Sequence, residues 1–540
     1  MQPRLLPPEL GVYCENQNPG RGDLRPWMKP LNVAVLPAGR QTIYRFNRDT
    51  ASDTEHWFSL TSMGQFVRSF LEDDPTERTY FTAATGGLKV TDNIIGLAGA
   101  PLPTASRDVG LPAPVSAPTV TQTTAGAGDD ETRYYIYVYV NDWGEVSAPS
   151  PVSAAVVCKP GAILAISGMS TVPSGSHGID KVRIYRTQAV TSGAADFFFL
   201  REIAAATTST DDARALNTKD QLESAGPAGT LGLQWAMPPA DLTNLAGLWN
   251  GMMAGISGKA VRFCEPYKPY SWPPAYAVPC MDTPVAQAVF GRNLLVLTTG
   301  TPLLLLGSAP EAMDGPPVGM VLPCESAAGV VSFKHGAVWP SADGLAYLAE
   351  GGQPSIITAD LLTREQWRAM NPDTMVADQY EGLYICSYQD GSTRKGFAID
   401  PRNPGSLYPF SEGFTACYFD ELQGNLYIFS GVDIKKWDAS PEPMTVLHRS
   451  KVFRMPRPSN PAVAEVVADD YPVTFKLWAG KHSSTGWPPG ALKETRTVNG
   501  RDVFKLKPGY LAEDMQIEVS GTGAIVAAVA ASSVDDIRET

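Results

Sequence analysis

The chain has 540 residues, 44% of them hydrophobic and only 18% charged, which excludes low-complexity disorder over most of its length. Its 49 glycines and 46 prolines are spread rather than clustered, and with 50 aromatic residues they point to many turns and many short strands. The net charge of −13, with no run of Lys or Arg, argues against a surface that grips DNA by neutralising phosphates.

The first 114 residues read as short alternating runs between turn clusters: QTIYRFN (Gln41 to Asn47), HWFSL (His56 to Leu60), RTYFTA (Arg78 to Ala83) and GGLKVTD, ending at Asp92. Period-two alternation with β-branched and aromatic residues predicts strands. The stretch from Ala100 to Pro118, rich in Pro and Ala, has linker composition and marks a boundary.

Beyond it, RYYIYVYV (Arg133 to Val140) puts Tyr135, Tyr137 and Tyr139 on one face and Ile136, Val138 and Val140 on the other. The turn NDWGEVSAPS follows, then KVRIYRT (Lys181 to Thr187) and DFFFLREI (Asp196 to Ile203). Several strands over about 100 residues predict an immunoglobulin or fibronectin-like sandwich, and the missing Cys…Trp…Cys framework favours the fibronectin form.

The third region repeats. Five segments of strand, Gly-centred turn, strand, turn and strand carry anchor glycines at Gly251, Gly291, Gly336, Gly382 and Gly424, in steps of 40, 45, 46 and 42 residues. A period in the forties with about four short strands per unit is that of propeller blades. Residues 30 to 95 have the texture of a sixth. One helix is expected at LLTREQWRAMNP, where Thr363 and Gln366 have capping-box spacing and Pro372 ends the turn. The expected fold is all-β: a propeller-like disc with an inserted sandwich and a small C-terminal β unit. Its parts are 1–114 completing the propeller, 115–232 the sandwich, 233–445 five blade-like repeats, and 446–540 the C-terminal unit.

Chemistry-bearing motifs are few. The chain lacks a G-x-S-x-G elbow, H-E-x-x-H, a dinucleotide glycine fingerprint and an EF-hand loop. GISGKA (Gly255 to Ala260) lacks the first glycine and the Ser/Thr of a phosphate loop and reads as a hairpin turn. The five histidines, His56, His177, His335, His448 and His482, have no metal spacing, and seven widely spaced cysteines without C-x-x-C read as buried thiols. The expectation is a soluble chain made in a reducing compartment, with no signal peptide and no membrane span. Glu72, Asp73 and Asp74, and Asp211 with Asp212, read as solvated turns before they read as acid/base pairs. Arg21-Gly22-Asp23 reads as a chance tripeptide, and Trp437-Asp438, at a blade end, as coincidence. Tyr267, Tyr270 and Trp272 in EPYKPYSWPPAY could hold a glycan or a base, though blade-connecting loops also use such residues to pack.

At that cluster, NGMMAGISGKAVRFCEPYKPYSWPPAY resembles the tail nozzle proteins of short-tailed bacteriophages, also called tail tubular protein B or DNA-stabilisation tail proteins. LPAGRQTIYRF, RTYFTAATGGLKVTD, YYIYVYVNDWGEVSAPSPV, KVRIYRT, LLVLTTGTPLLLLGSAPEAM, PSADGLAYLAEGG and LLTREQWRAMNPDT resemble the same family in the same order, over roughly Val33 to Asp438. The resemblance implies a structural virion protein, made in the bacterial cytoplasm, that forms a homo-hexameric ring below the portal's adaptor ring. Tail fibres, spikes or a needle are expected beyond it, and viral double-stranded DNA would pass through its channel without sequence-specific binding. It implies no enzyme activity, no cofactor and no catalytic, cofactor-binding or metal-binding residue. The alternatives are a tail-associated glycan-cleaving propeller using loop carboxylates such as Asp73 and Asp343, and a glycan-binding adhesin using Trp272.

Overall fold

The computed structural model describes residues 11–19, 24–46, 52–71, 74–188, 196–214, 235–481 and 490–538. Strands dominate it. Its α-helices among the described residues are Arg364–Ala369 and Val534–Arg538. The fold is all-β, built from small antiparallel meanders of propeller-blade type, a sandwich and a C-terminal β unit. The chain divides into two compact units, one of residues 44–51 and 56–324, the other of 1–43, 52–55 and 325–540.

In the first unit, sheet I is a four-stranded meander of Gln65–Arg68, Thr79–Thr82, Leu88–Thr91 and Arg107–Asp108. Sheet II runs Thr243–Gly247, Met253–Ser257, Ala260–Phe263 and Ala277–Pro279, and sheet III has three strands, Pro284–Phe290, Asn293–Thr298 and Leu303–Leu305. Neither face of such a sheet can stay wet with residues this apolar. Tyr80, Leu88 and Val90 of sheet I pack with Met253, Cys264 and Trp272 from sheet II and its outgoing loop. Ala254, Val261 and Phe263 of sheet II pack with Leu294, Val296 and Leu305 of sheet III.

Between sheets I and II lies the sandwich. One layer is Tyr135–Asn141, Ile179–Thr187 and Phe197–Ala204; the other is Thr119–Thr124, Ile163–Ser167 and Thr210–Asp212. Tyr135, Tyr137 and Tyr139 face the second layer and pack on Leu164 and Ile166. Ile136, Val138 and Val140 line a second small core with Tyr185 and Phe197. The free edge of the tyrosine strand is covered by SAPSPVS. Ser147, Ser150 and Ser153 each donate a backbone N–H, at 2.9 Å, to the carbonyls of Tyr139, Tyr137 and Tyr135. Their hydroxyls accept the N–H groups of those same tyrosines at 2.9 to 3.1 Å. Side-chain oxygens thus satisfy donors that a regular strand would pair with carbonyls.

In the second unit, sheet IV is Val331–Phe333, Gly336–Ser341, Gly344–Ala349 and Ser355–Ile356, and sheet V is Val376–Tyr380, Leu383–Asp390, Thr393–Ile399 and Tyr408–Phe410. Sheet VI takes Ala416–Asp420, Asn425–Ser430 and Asp433–Lys436 from the last repeat and its fourth strand, Leu31–Val35, from the N-terminal region. The C-terminal unit sets a six-stranded sheet, including Gly11–Glu15 paired to Val446–Ser450, against a three-stranded one of Phe504–Lys505, Val463–Ala468 and Ile525–Ala531. Val473, Phe475, Leu477 and Val466 lie at its core.

The anchor glycines fall at the step from first to second strand of sheets II to VI. Gly251, Gly291, Gly382 and Gly424 adopt φ of 67°, 57°, 80° and 67°, which glycine tolerates without steric cost. Gly336 instead opens its strand, where a Cβ would come within 2.5 Å of the Leu348 carbonyl oxygen. The helix bears its capping box: Gln366 N–H donates to Thr363 Oγ1 and Thr363 N–H to Gln366 Oε1. Trp367 fixes it to sheet IV by donating Nε1–H to the Ser341 carbonyl at 2.7 Å.

Three boundaries differ from the sequence reading. The supposed linker contributes Arg107–Asp108 to sheet I and buries Val109 and Leu111, because a two-residue strand among prolines has no periodicity to reveal it. Region 1–114 serves four sheets: Gly11–Glu15 joins the C-terminal sheet, Leu31–Val35 joins sheet VI, Thr42–Arg45 pairs with Trp57–Leu60, and the strands from Gln65 to Asp108 build sheet I. The division between compact units falls after Cys324, inside the 233–445 repeats.

Candidate functional site

The turn after the tyrosine strand, Asn141 to Glu145, carries the densest polar cluster of the first unit. Asn141 Oδ1 accepts the N–H of Trp143 and Glu145 at 3.1 and 2.9 Å, and its Nδ2 donates to Glu145 Oε2 at 2.8 Å. Arg78 of sheet I reaches in: Nη1 donates to Glu145 Oε1 at 3.4 Å and Nε to Asp74 Oδ2 at 2.7 Å. Arg107, also of sheet I, pairs in two-pronged fashion with Asp142, the Nη2 to Oδ2 bond being 2.8 Å. The Trp143 ring lies between the two guanidiniums, 4.5 Å from Arg107 and 5.5 Å from Arg78. Gly178 is required beside it, since a Cβ there would overlap the Arg107 guanidinium.

Burial pushes the Glu145 carboxyl up, against the Asn141 hydrogen bond and the Arg78 charge. At Asp74 burial also raises the carboxyl, but hydrogen bonds from Arg78 and Thr76 outweigh it and hold the group below the usual range. Two carboxylates are thus committed to one cation, and Trp143 is wedged between two. These contacts join the sandwich to sheet I.

Asp212 is the sandwich's own lock. It is 1% exposed, and its Oδ2 accepts from Tyr135 Oη at 2.6 Å, Arg186 Nη1 at 2.7 Å and Arg133 Nη1 at 3.4 Å. The solvated-turn reading of Asp212 is therefore corrected, because Arg133 and Arg186, on strands of other sheets, point at it. Asp343 sits in the Ser341–Gly344 turn, held by Arg364 at 2.6 Å. Glu72, Asp73, Arg21, Gly22, Asp23 and His482 lie outside the described residues.

The aromatic-proline cluster separates. Trp272 is 3% exposed and donates its indole N–H to the Pro269 carbonyl at 2.7 Å, so it is core and cannot stack on a glycan. Tyr270 packs on Trp235 with centroids 5.4 Å apart, beside a pocket of about 130 Å³ lined by Leu111, Val146, Met237 and Ser271. Pockets for drug-sized ligands run to ~300–1,000 Å³. Tyr267 is exposed, with φ of 58° and its ring against Gly251. GISGKA forms the hairpin joining Met253–Ser257 to Ala260–Phe263.

His177 Nδ1 is 2.9 Å from the Gly110 carbonyl, His335 lies 3.5 Å from Glu350, and burial pulls His448 down. Among the described residues no three of His, Cys, Asp or Glu gather as metal ligands, and no helix is long and apolar enough to cross a membrane. The seven thiols form no disulfide; burial pushes Cys14 and Cys264 up to about 12.

These features define an all-β protein of propeller-like sheets whose inserted sandwich is fastened by ion pairs. No family model and no curated protein matches the chain. Among solved structures it is similar to BBS1N in complex with ARL6DN, at 9% identity and TM-score 0.31 over 77% of this chain and 98% of that one. It is similar to a quinonprotein alcohol dehydrogenase-like protein of Bacteroides thetaiotaomicron, at 8% identity and TM-score 0.24 over 56% of this chain and 86% of that one. AztD of Citrobacter koseri gives 10% identity and TM-score 0.26 over 73% and 99%. Likenesses of that size say nothing of what this chain binds or does.

Proposed function

We propose that the chain is a non-enzymatic structural protein of a bacteriophage tail. In this reading six copies ring a channel below the portal's adaptor ring, retain the packaged double-stranded DNA and conduct it at ejection. Fibres, spikes or a needle would follow beyond. The supporting observation is the order of the resembling strings, each of which coincides with one structural piece in chain order. RTYFTAATGGLKVTD is the centre of sheet I, and YYIYVYVNDWGEVSAPSPV is the tyrosine strand, the clamped turn and the serine ladder. NGMMAGISGKAVRFCEPYKPYSWPPAY is the middle of sheet II with its outgoing loop, and LLTREQWRAMNPDT is the capped helix.

The physical design suits a conduit under internal pressure. Gly11–Glu15 and Leu31–Val35 are paired with strands far along the chain, and the insertion is pinned by charge-assisted contacts. Imaging the purified chain, alone and with adaptor subunits, tests the reading. A sixfold ring on the adaptor platform is expected. Particles without rotational symmetry under both conditions would overturn it.

A further inference from the structure

The C-terminal unit departs from the acidic balance of the chain. Residues 446–540 hold 12 Lys and Arg against 11 Asp and Glu, although the whole chain carries −13. Two of those carboxylates are buried inside pairs: Glu518 takes Arg449 and Lys476, and Glu494 takes Lys507 at 3.7 Å. Lys493, Arg496 and Lys505 flank the Glu494–Lys507 pair in two segments joined by a hydrogen bond.

Ala491–Val498 is the outer strand of the six-stranded sheet among the described residues. Lys493 Nζ lies 5.2 Å from the centre of the Tyr510 ring, and the Arg496 guanidinium 4.8 Å from that of Phe504. Arg496 Nη1 donates to the Lys505 carbonyl at 3.2 Å, which joins this strand to the segment bearing Lys505 and Lys507. Arg496, Lys505, Lys507, Thr495 and Thr497 are all exposed, and the carboxylate in contact with this group, Glu494, is buried.

We propose that this edge binds the phosphate backbone of nucleic acid. Edge strands carry charges that discourage strand addition, and here the cations of two neighbouring segments fall together. Protein–protein interfaces are depleted of charge at their centres, whereas this stripe carries exposed cations and threonine hydroxyls. Two of the cations are already laid on aromatic rings, so little side-chain freedom is lost when an anion arrives. Phosphate contacts carry no sequence information, as a channel for any DNA requires. The proposal rests on the conduit reading for its setting and deepens it by naming residues the DNA touches. The chain's overall negative charge keeps the hold weak.

Four cations less Glu494 neutralise about three phosphates, so affinity should fall about 40-fold between 50 and 200 mM salt. Fluorescence anisotropy of the full chain with a labelled duplex of random sequence tests this. Binding with that salt dependence is expected. A Lys493→Gln, Lys505→Gln variant should weaken binding and flatten the log–log salt slope by about two, while Arg496→Lys should keep both. Thermal melting followed by circular dichroism checks that each variant is folded. No binding by the unaltered chain at 50 mM salt overturns the proposal, as does an unchanged slope in the double variant. Binding to poly-glutamate but not to duplex assigns the edge to an acidic protein and overturns it too. A sixfold ring with no edge-dependent DNA binding defeats this inference alone, whereas edge-dependent binding by a chain that never forms rings defeats the nozzle reading alone.

Discussion

Trp27 and Trp437 meet edge to face with ring centroids 5.7 Å apart, and beside them the Met28 N–H donates to Asp438 Oδ1 at 2.6 Å across 410 residues of sequence. Phe410 completes the stack, 4.9 Å from Trp437. The Trp-Asp dipeptide at the end of the last repeat is thus the fastening of the N-terminal segment onto sheet VI. Trp437→Ala should cost about 3–5 kcal/mol, the usual price of deleting a buried large aromatic. Asp438→Ala should cost about 1–3 kcal/mol by leaving the Met28 N–H unpaired. Urea unfolding measures both, and limited proteolysis should show the segment before Leu31 cut first in either variant.

The clamp on Trp143 predicts asymmetry between single and double variants. Arg78→Met leaves Glu145 buried without its cation and should destabilise by about 3–5 kcal/mol. Arg78→Met combined with Glu145→Gln removes that pair and should recover part of the loss, Asp74 still lacking its cation. Costs of Arg78→Met and of Glu145→Gln alone that add up to the cost of the double variant would show that the pair is not coupled.

The serine ladder makes a local claim. Ser150→Ala removes the hydroxyl that accepts the buried Tyr137 N–H at 3.1 Å, and an unsatisfied buried donor costs about 1–3 kcal/mol. Ser150→Thr keeps the oxygen and should cost less. Amide hydrogen exchange should show faster exchange at Tyr137 in the alanine variant alone.

Stability should depend on pH through Asp378. Burial pushes this carboxyl up to about 6, only partly offset by hydrogen bonds from the Gln379 and Phe419 N–H groups. The folded state therefore holds its proton more tightly than the unfolded chain, whose Asp titrates near ~3.9. The stability this group contributes is full below about pH 4 and is lost as pH rises through about 6, a swing on the order of 3 kcal/mol. Asp378→Asn removes the swing. Because the Asn Nδ2 cannot accept one of the two backbone N–H groups, the variant carries a pH-independent cost, and the difference in urea midpoint should shift toward the unaltered chain between pH 7.5 and pH 4.

What the sequence determined by itself is what repeats or acts over a few residues. The spacing of Gly251, Gly291, Gly336, Gly382 and Gly424 located the step from first to second strand in five sheets, because a reversal between short strands recurs wherever the unit recurs. Thr363 and Gln366 announced their helix, since a capping box is complete within four residues. The two faces of Tyr135 to Val140 were legible from alternation alone. Only the tertiary structure decided which distant segments complete a sheet or a cluster. Leu31–Val35 and Arg107–Asp108 carry too little pattern to name partners in sheets VI and I, and each is chosen by the unpaired edge that meets it. Trp272 became core and Asp212 a buried lock for the same reason: burial depends on what arrives from elsewhere in the chain. The cations from Lys493 to Lys507 form no run in sequence, and it is a hydrogen bond between two segments that makes them one surface.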